Sequence, residues 1–152
     1  MNVGPLLTGL ADLERALADE YRALGERHAD EHDVYHETHA FAERCTAHAA
    51  ELAHHAARFA GEGEPLWQRL VEQPPPAPGA PPGLVLLRDL RALVLAAEEV
   101  SITWVIAGQA AQALRDDGLL ETVRKCHPET ELQVKWLTSR IKVGAPQAVV
   151  TA

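Results

Sequence analysis

The chain has 152 residues, the size of one domain with a substantial buried core. Its 14 basic and 22 acidic residues leave a net charge of −8, which disfavours nucleic acids and anionic membranes and favours cationic partners such as metal ions. The N-terminus lacks a basic segment followed by an apolar core, and the two cysteines lack Cys-x-x-Cys spacing, so we expect a soluble, reduced, cytoplasmic protein.

The first predicted helix spans about residues 8–30, where apolar residues recur at steps of three and four. Its core-facing stripe consists of Leu10, Leu13, Leu17 and Leu24. Glu20 and Tyr21 fill the gap in that stripe, so a glutamate occupies a core-facing position. The predicted turn into the second helix runs from Asp30 to Asp33, and either aspartate would cap that helix.

The second predicted helix, about residues 33–60, alternates steps of three and four without a break and includes two histidines. Its core-facing residues are Val34, Thr38, Phe41, Cys45, His48, Leu52, His55 and Phe59. A separate set, His28, His32, His36 and His39, lies on the opposite arc. We expect this second set to face solvent.

Residues 61–83 form the predicted connection to the third helix. Gly61, Gly63 and Pro65 end the second helix, and Pro65 to Glu72 would form a short helical piece. The proline-rich run that follows cannot be regular helix, and as polyproline it spans roughly 28 Å. The connection is therefore long enough to let the second and third helices point in the same direction.

The third predicted helix, about residues 84–115, is apolar nearly all round, and the only charges between Arg91 and Arg115 are Glu98 and Glu99. A carboxylate removed from water costs several kcal/mol unless it is paired, protonated or bound to a cation. The pair is therefore either a functional group or the solvated side of the helix. The predicted inner stripe of this helix is Leu90, Val94, Ala97 and Ser101. Glu98 lies about 70° from the centre of this stripe, so we expect it to point inward and Glu99 to point outward or into an interface.

The fourth predicted helix covers about residues 118–143 and ends at Gly144 and Pro146. Its core-facing residues are Leu120, Val123, His127, Thr130, Val134, Leu137 and Ile141. Pro128 lies inside this stretch, where it either kinks the helix or begins its main part.

These elements predict an all-α protein: a single domain over 1–152, built as a four-helix bundle of two hairpins joined by a long proline-rich crossover. In an antiparallel hairpin, residues equidistant from the turn lie at one level. Glu20 and Glu51 would therefore be level in the first hairpin, and Glu98 and Glu131 in the second. Four glutamates at one height require protons or a metal ion.

Over about residues 8–142 this pattern resembles the ferritin-like superfamily, the carboxylate-bridged two-metal four-helix bundles. In that family two helices each supply one glutamate and the other two each supply Glu-x-x-His. Glu20 matches the first ligand and Glu51-Leu-Ala-His54 matches the second motif. Glu98 or Glu99 matches the third-helix ligand and Glu131 the fourth.

Two positions leave alternatives open. Val134 stands where the fourth-helix histidine is expected, and His127 one turn upstream is either a substitute ligand or a core residue. In the second helix, His48 and His55 face inward more directly than His54 does. His48, Glu51 and His55 together would also suit zinc or iron.

The resemblance implies a protein that binds iron or another divalent metal and handles metal or oxidants, without nucleic acid or membrane partners. The alternative is a metal-free scaffold or interaction protein of the same fold, because the family's fourth-helix histidine is absent. The third helix is more apolar than one core-facing stripe requires, so we expect it to bury a second face in a homodimer or another partner.

Overall fold

The computed structural model describes residues 1–59, 65, 69 and 73–151. Its elements are α1 (Val3–Arg27), α2 (His32–Arg58), α3 (Pro82–Leu114), α4 (Asp117–Pro146) and a short π-helical segment (Gln147–Thr151). No strand occurs in the described part of the chain. The predicted all-α, four-helix class is confirmed.

The helix ends differ from prediction mainly at α1, which begins at Val3 instead of residue 8. Pro5 does not prevent this, because a proline in the first turn lacks an N–H that would have no helical partner there. The predicted aspartate cap of α2 is wrong, since Glu31 is the N-cap residue and makes no side-chain cap hydrogen bond. Asp33 lies in the first turn instead and pairs with Arg140 at 2.8 Å.

The crossover agrees with prediction where the structure describes it, since residues 73–81 form no helix. The fourth helix is predicted correctly in position, but α4 runs without a break from Asp117 to Pro146. The exposed Pro128 therefore does not begin its main part, and Gly144 does not end it. Between 60 and 72 only positions 65 and 69 are described. The glycines predicted to end α2, and most of the predicted helical piece from Pro65 to Glu72, therefore lie outside the described residues.

Side-chain pairs fix the directions of the helices. Arg27 and His28 at the end of α1 lie beside Asp89 near the start of α3, so these two helices are antiparallel. Arg58 at the end of α2 lies beside Asp116 at the start of α4, so this pair is antiparallel too. Since α1 and α2 form an antiparallel hairpin, α2 and α3 point the same way, as the long crossover predicts.

The core is formed by one strict three-four stripe from each helix. Prominent buried members are Leu7, Leu10, Glu14, Leu17, Tyr21 and Leu24 of α1, Cys45, His48 and Leu52 of α2, Leu90, Leu93, Ala97, Val100 and Trp104 of α3, and Leu119, Val123, Cys126, Thr130, Gln133 and Leu137 of α4. The stripes of α1, α2 and α4 thus contain polar side chains, and the α3 stripe contains the indole N–H of Trp104. Within the described residues, no helix has the length and apolar character needed to cross a membrane.

Candidate functional site

In the first hairpin, the predicted glutamate ligands are engaged with cations. The Glu20 carboxylate pairs with Arg69, and one Glu51 oxygen accepts a 2.6 Å hydrogen bond from Lys125 Nζ. The Lys125 bond holds the pKa of Glu51 below its ordinary value. Arg22 reaches Thr46 and Glu14 reaches His48, so Glu20 is level with residues near 45 and not with Glu51. The level prediction is wrong because this turn is centred about residue 30, whereas the midpoint between Glu20 and Glu51 lies near residue 35.

In the second hairpin, Glu98 is exposed and Glu99 is half-buried, so the predicted orientation of the pair is wrong. The inner stripe of α3 is centred on Leu93, Val100 and Trp104, which places Glu98 about 140° around the helix from it. Glu131 of α4 is 54% exposed and lies 3.5 Å from His127 Nε2. Neither of these two acids points into the bundle.

Among the predicted histidine ligands, His55 is buried and its two ring nitrogens are both occupied. Nε2 lies 2.8 Å from Thr122 Oγ1, and Nδ1 lies 2.6 Å from Arg58 Nη2. Burial, followed by the Arg58 charge, lowers the pKa of His55. His54 is exposed. His127 Nε2 lies 3.0 Å from Ser101 Oγ.

The structure brings three of the seven predicted ligands together. Glu51, His54 and His55 line one open surface cavity of about 470 Å³ between α2 and α4. The other four, Glu20, Glu98, His127 and Glu131, lie elsewhere. Over the described residues, no group of three or more His, Cys, Asp or Glu side chains is placed to hold a metal ion. The predicted ligand set therefore does not fit a two-metal centre as these side chains stand.

A different polar cluster fills the centre of the bundle, and its key acid, Glu14, is absent from the predicted ligands. Glu14 is completely buried, and its Oε1 accepts a 3.0 Å hydrogen bond from Trp104 Nε1. His48 Nδ1 lies 3.4 Å from the same oxygen, and His48 Nε2 lies 3.1 Å from Glu129 Oε2. The carboxylate of Glu129 is partly exposed and also lies 3.7 Å from Arg44. Four helices thus contribute to one chain of contacts from the core to the surface.

The charge of this chain of contacts depends on whether His48 is protonated, because both of its ring nitrogens face carboxylates. Burial alone lowers the pKa of His48, but the hydrogen bonds and charges of Glu14 and Glu129 outweigh burial and leave the pKa raised. The imidazolium form donates at both nitrogens, so it compensates the buried Glu14 carboxylate.

Tyr21, Cys45 and Gln133 extend the cluster across the core. Gln133 Oε1 accepts from the Tyr21 hydroxyl at 3.0 Å and from the Cys45 thiol at 3.7 Å. Among the residues that the structure describes, no hydrogen-bond partner satisfies the buried Gln133 Nε2 or Glu14 Oε2, although Glu14 Oε2 lies 3.4 Å from His48 Nδ1. Burial, with the Glu14 charge next, raises the pKa of the Cys45 thiol, so the thiolate that a nucleophile needs is disfavoured.

A second buried acid, Asp89, joins α1 to α3. Its Oδ2 lies 2.8 Å from His28 Nε2 and 3.4 Å from Arg27 Nε. His28 was expected to face solvent with its neighbours, and this expectation is wrong for His28 because Asp89 draws the ring into the helix interface. His32 and His36 are exposed, as predicted.

The sequence contains the signal for Glu14. Steps of three and four place it directly in the stripe from Leu7 and Leu10 to Leu17 and Leu24. The predicted helix begins at residue 8 and its stripe includes Leu13. This choice places the centre of the predicted stripe nearer to Glu20 than to Glu14. The partner of Glu14 on α3, Trp104, and the partner of His48 on α4, Glu129, have no comparable local signal.

No family model, curated protein or solved structure matches this chain. The resemblance to ferritin-like proteins therefore rests on the sequence pattern alone and stays a prediction.

Proposed function

We propose that this protein is a metal-independent helical scaffold that associates with a second copy of itself through the outer face of α3. The observation that carries the proposal is a row of branched aliphatic side chains on the surface of that helix. Leu95 is 39% exposed, Ile102 59% and Val105 43%. Leu84 is exposed and Leu87 half-buried on the same side of the helix. We call these five residues the α3 outer face.

Exposed aliphatic residues that share one side of a helix over several turns are typical of an interface, whereas single exposed aliphatic residues are common on any protein. The α3 outer face covers more than five helical turns, from residue 84 to residue 105, or about 32 Å at 1.5 Å per residue. Burying this face against a second copy would remove exposed apolar surface of α3 from water.

The bundle centre also supports a scaffold. The sequence pattern predicts a metal site at the centre of the bundle. There, Trp104 and His48 already contact the Glu14 carboxylate. The prediction that the chain binds iron or another divalent metal stays a prediction. It requires Glu20 to leave Arg69 and Glu51 to leave Lys125.

Sedimentation equilibrium of protein without a histidine tag tests the proposal. We expect a dimer whose mass is unchanged by a chelator, and we expect Ile102→Glu to yield a monomer with an intact helical spectrum. Leu132→Glu is the matched control, because Leu132 is equally exposed, at 61%, but lies on α4. A wild-type monomer at all concentrations, or a dimer that the chelator dissociates, would contradict the proposal.

Iron loading distinguishes the proposed scaffold from a ferritin-like metal-binding protein. Under anaerobic conditions with ferrous iron, we expect no stoichiometric retention after desalting. Retention of one or two ions that Glu51→Ala and Glu98→Ala both reduce would favour the ferritin-like metal centre over the scaffold.

A further inference from the structure

We infer that two copies pack α3 against α3 in antiparallel orientation, with a two-fold axis beside Leu95 and with Arg91 of each copy paired to Glu98 of the other. This inference rests on the proposed function and specifies its partner and its register. The two charged residues lie on the same side of α3 as the α3 outer face, and both are exposed.

The spacing of these residues is symmetric about a point between positions 94 and 95. An isologous antiparallel pair places each residue opposite its mirror position in the partner. Leu84 then meets Val105, and Leu87 meets Ile102. Leu95, whose mirror position is 94, lies within one residue of the axis and therefore beside its own copy.

The charges follow the same symmetry. Arg91 and Glu98 are equidistant from the midpoint, so the antiparallel pair forms two identical Arg91–Glu98 contacts, one on each side of the axis. Arginine also suits this position because its aliphatic stem covers apolar surface while the guanidinium reaches a carboxylate.

Other arrangements of the same face are less favourable. A parallel pair in register would place Arg91 beside Arg91 and Glu98 beside Glu98, and both contacts are repulsive. An antiparallel pair centred on Ile102 would place Glu98 against Ile106, which removes the carboxylate from water without supplying a cation. Of these three arrangements, only the antiparallel register beside Leu95 matches apolar with apolar and acid with base.

Charge reversal tests this register. We expect Arg91→Glu and Glu98→Arg each to weaken the dimer about tenfold, because each converts two attractive contacts into two repulsive ones. The double variant Arg91→Glu with Glu98→Arg should return the dissociation constant to within about twofold of wild type, because it restores the pairs in reverse. Glu43→Arg on α2, an exposed charge reversal away from α3, is the control and should have no effect.

Oxidative cross-linking provides an independent readout. Leu95→Cys should form a disulfide-linked dimer in air, because residues at a two-fold axis approach within disulfide range. Ile106→Cys on the same helix should remain unlinked, since this register places position 106 far from its own copy.

The outcomes distinguish the two claims. If Ile102→Glu dissociates the dimer but the double charge variant fails to restore the affinity lost in the single variants, the register is wrong and the proposed function stands. Linking at position 106 and not at 95 would also overturn the register. A monomeric wild type would overturn both.

Discussion

Replacing Glu14 with alanine should destabilise the protein strongly, whereas the same change at Glu20 should not. The two glutamates lie on the same helix, six positions apart, and the sequence pattern favoured Glu20. Glu14 is completely buried beneath Trp104 and His48, whereas Glu20 is partly exposed and pairs with Arg69.

The expected loss at Glu14 follows from the contacts that are removed. Glu14→Ala leaves the buried Trp104 N–H without an acceptor, which costs about 1–3 kcal/mol. It also deprives the buried His48 ring of one of its two carboxylate partners, and where that ring is protonated, breaking a buried ion pair typically costs about 3–5 kcal/mol in total. We therefore expect a decrease of about 3–5 kcal/mol in the free energy of unfolding. Glu20→Ala, which removes one partly exposed ion pair, should cost about 0–1 kcal/mol.

Urea unfolding followed by circular dichroism at 222 nm measures both changes against wild type. If Glu14→Ala proves too unstable to purify, Glu14→Gln serves in its place. Glutamine keeps the volume of the side chain and an acceptor for Trp104, so its cost should be smaller, about 1–3 kcal/mol. Equal losses for Glu14→Ala and Glu20→Ala, or a loss below about 1 kcal/mol at Glu14, would refute the assignment of Glu14 as the central acid of the core.

Three further predictions follow from other features of the fold. Because the pKa of His48 is raised in the folded state, its stabilising contribution is complete below the ordinary histidine value of about 6.5 and is lost as the pH rises through the raised value. The difference in unfolding free energy between wild type and His48→Gln should therefore shrink from pH 6 to pH 9, and a constant difference would contradict this. Gly25→Ala should lower the free energy of unfolding by about 1–3 kcal/mol, because a Cβ there would lie 2.5 Å from Thr38 Oγ1. Gly118→Ala is the control in the same urea titration, because a Cβ at that position would meet no such close contact. Burial raises the pKa of both thiols, Cys45 and Cys126, so a disulfide reagent should label them in urea but not in the native protein; fast native labelling would refute this.

Local sequence was sufficient for the helices and much of the core. The three-four alternation in the second helix correctly assigned Val34, Thr38, Cys45, His48 and Leu52 to the interior, because burial of one face imposes this period wherever a helix packs on a core. The proline-rich crossover likewise predicted that the second and third helices point the same way, since only a long connection permits it.

The orientation of Glu98 could not be predicted from local sequence. Glu98 stands among apolar residues in the sequence, yet it is exposed, because α3 has more apolar residues than its inner stripe contains. An apolar surround in sequence does not determine which side of a helix is buried when both sides are apolar. That choice is made by the rotation of α3 against its neighbours.

The sequence by itself determined that this protein is a four-helix bundle with polar residues in its core, because periodicity and chain-breaking residues are local properties. Only the tertiary structure decided which polar residues meet. Glu14, His48 and Glu129 are widely separated in the chain and belong to three helices, and their contact depends on the axial offset and rotation of each helix. Those quantities are set by side-chain packing across the whole core, which no single helix encodes.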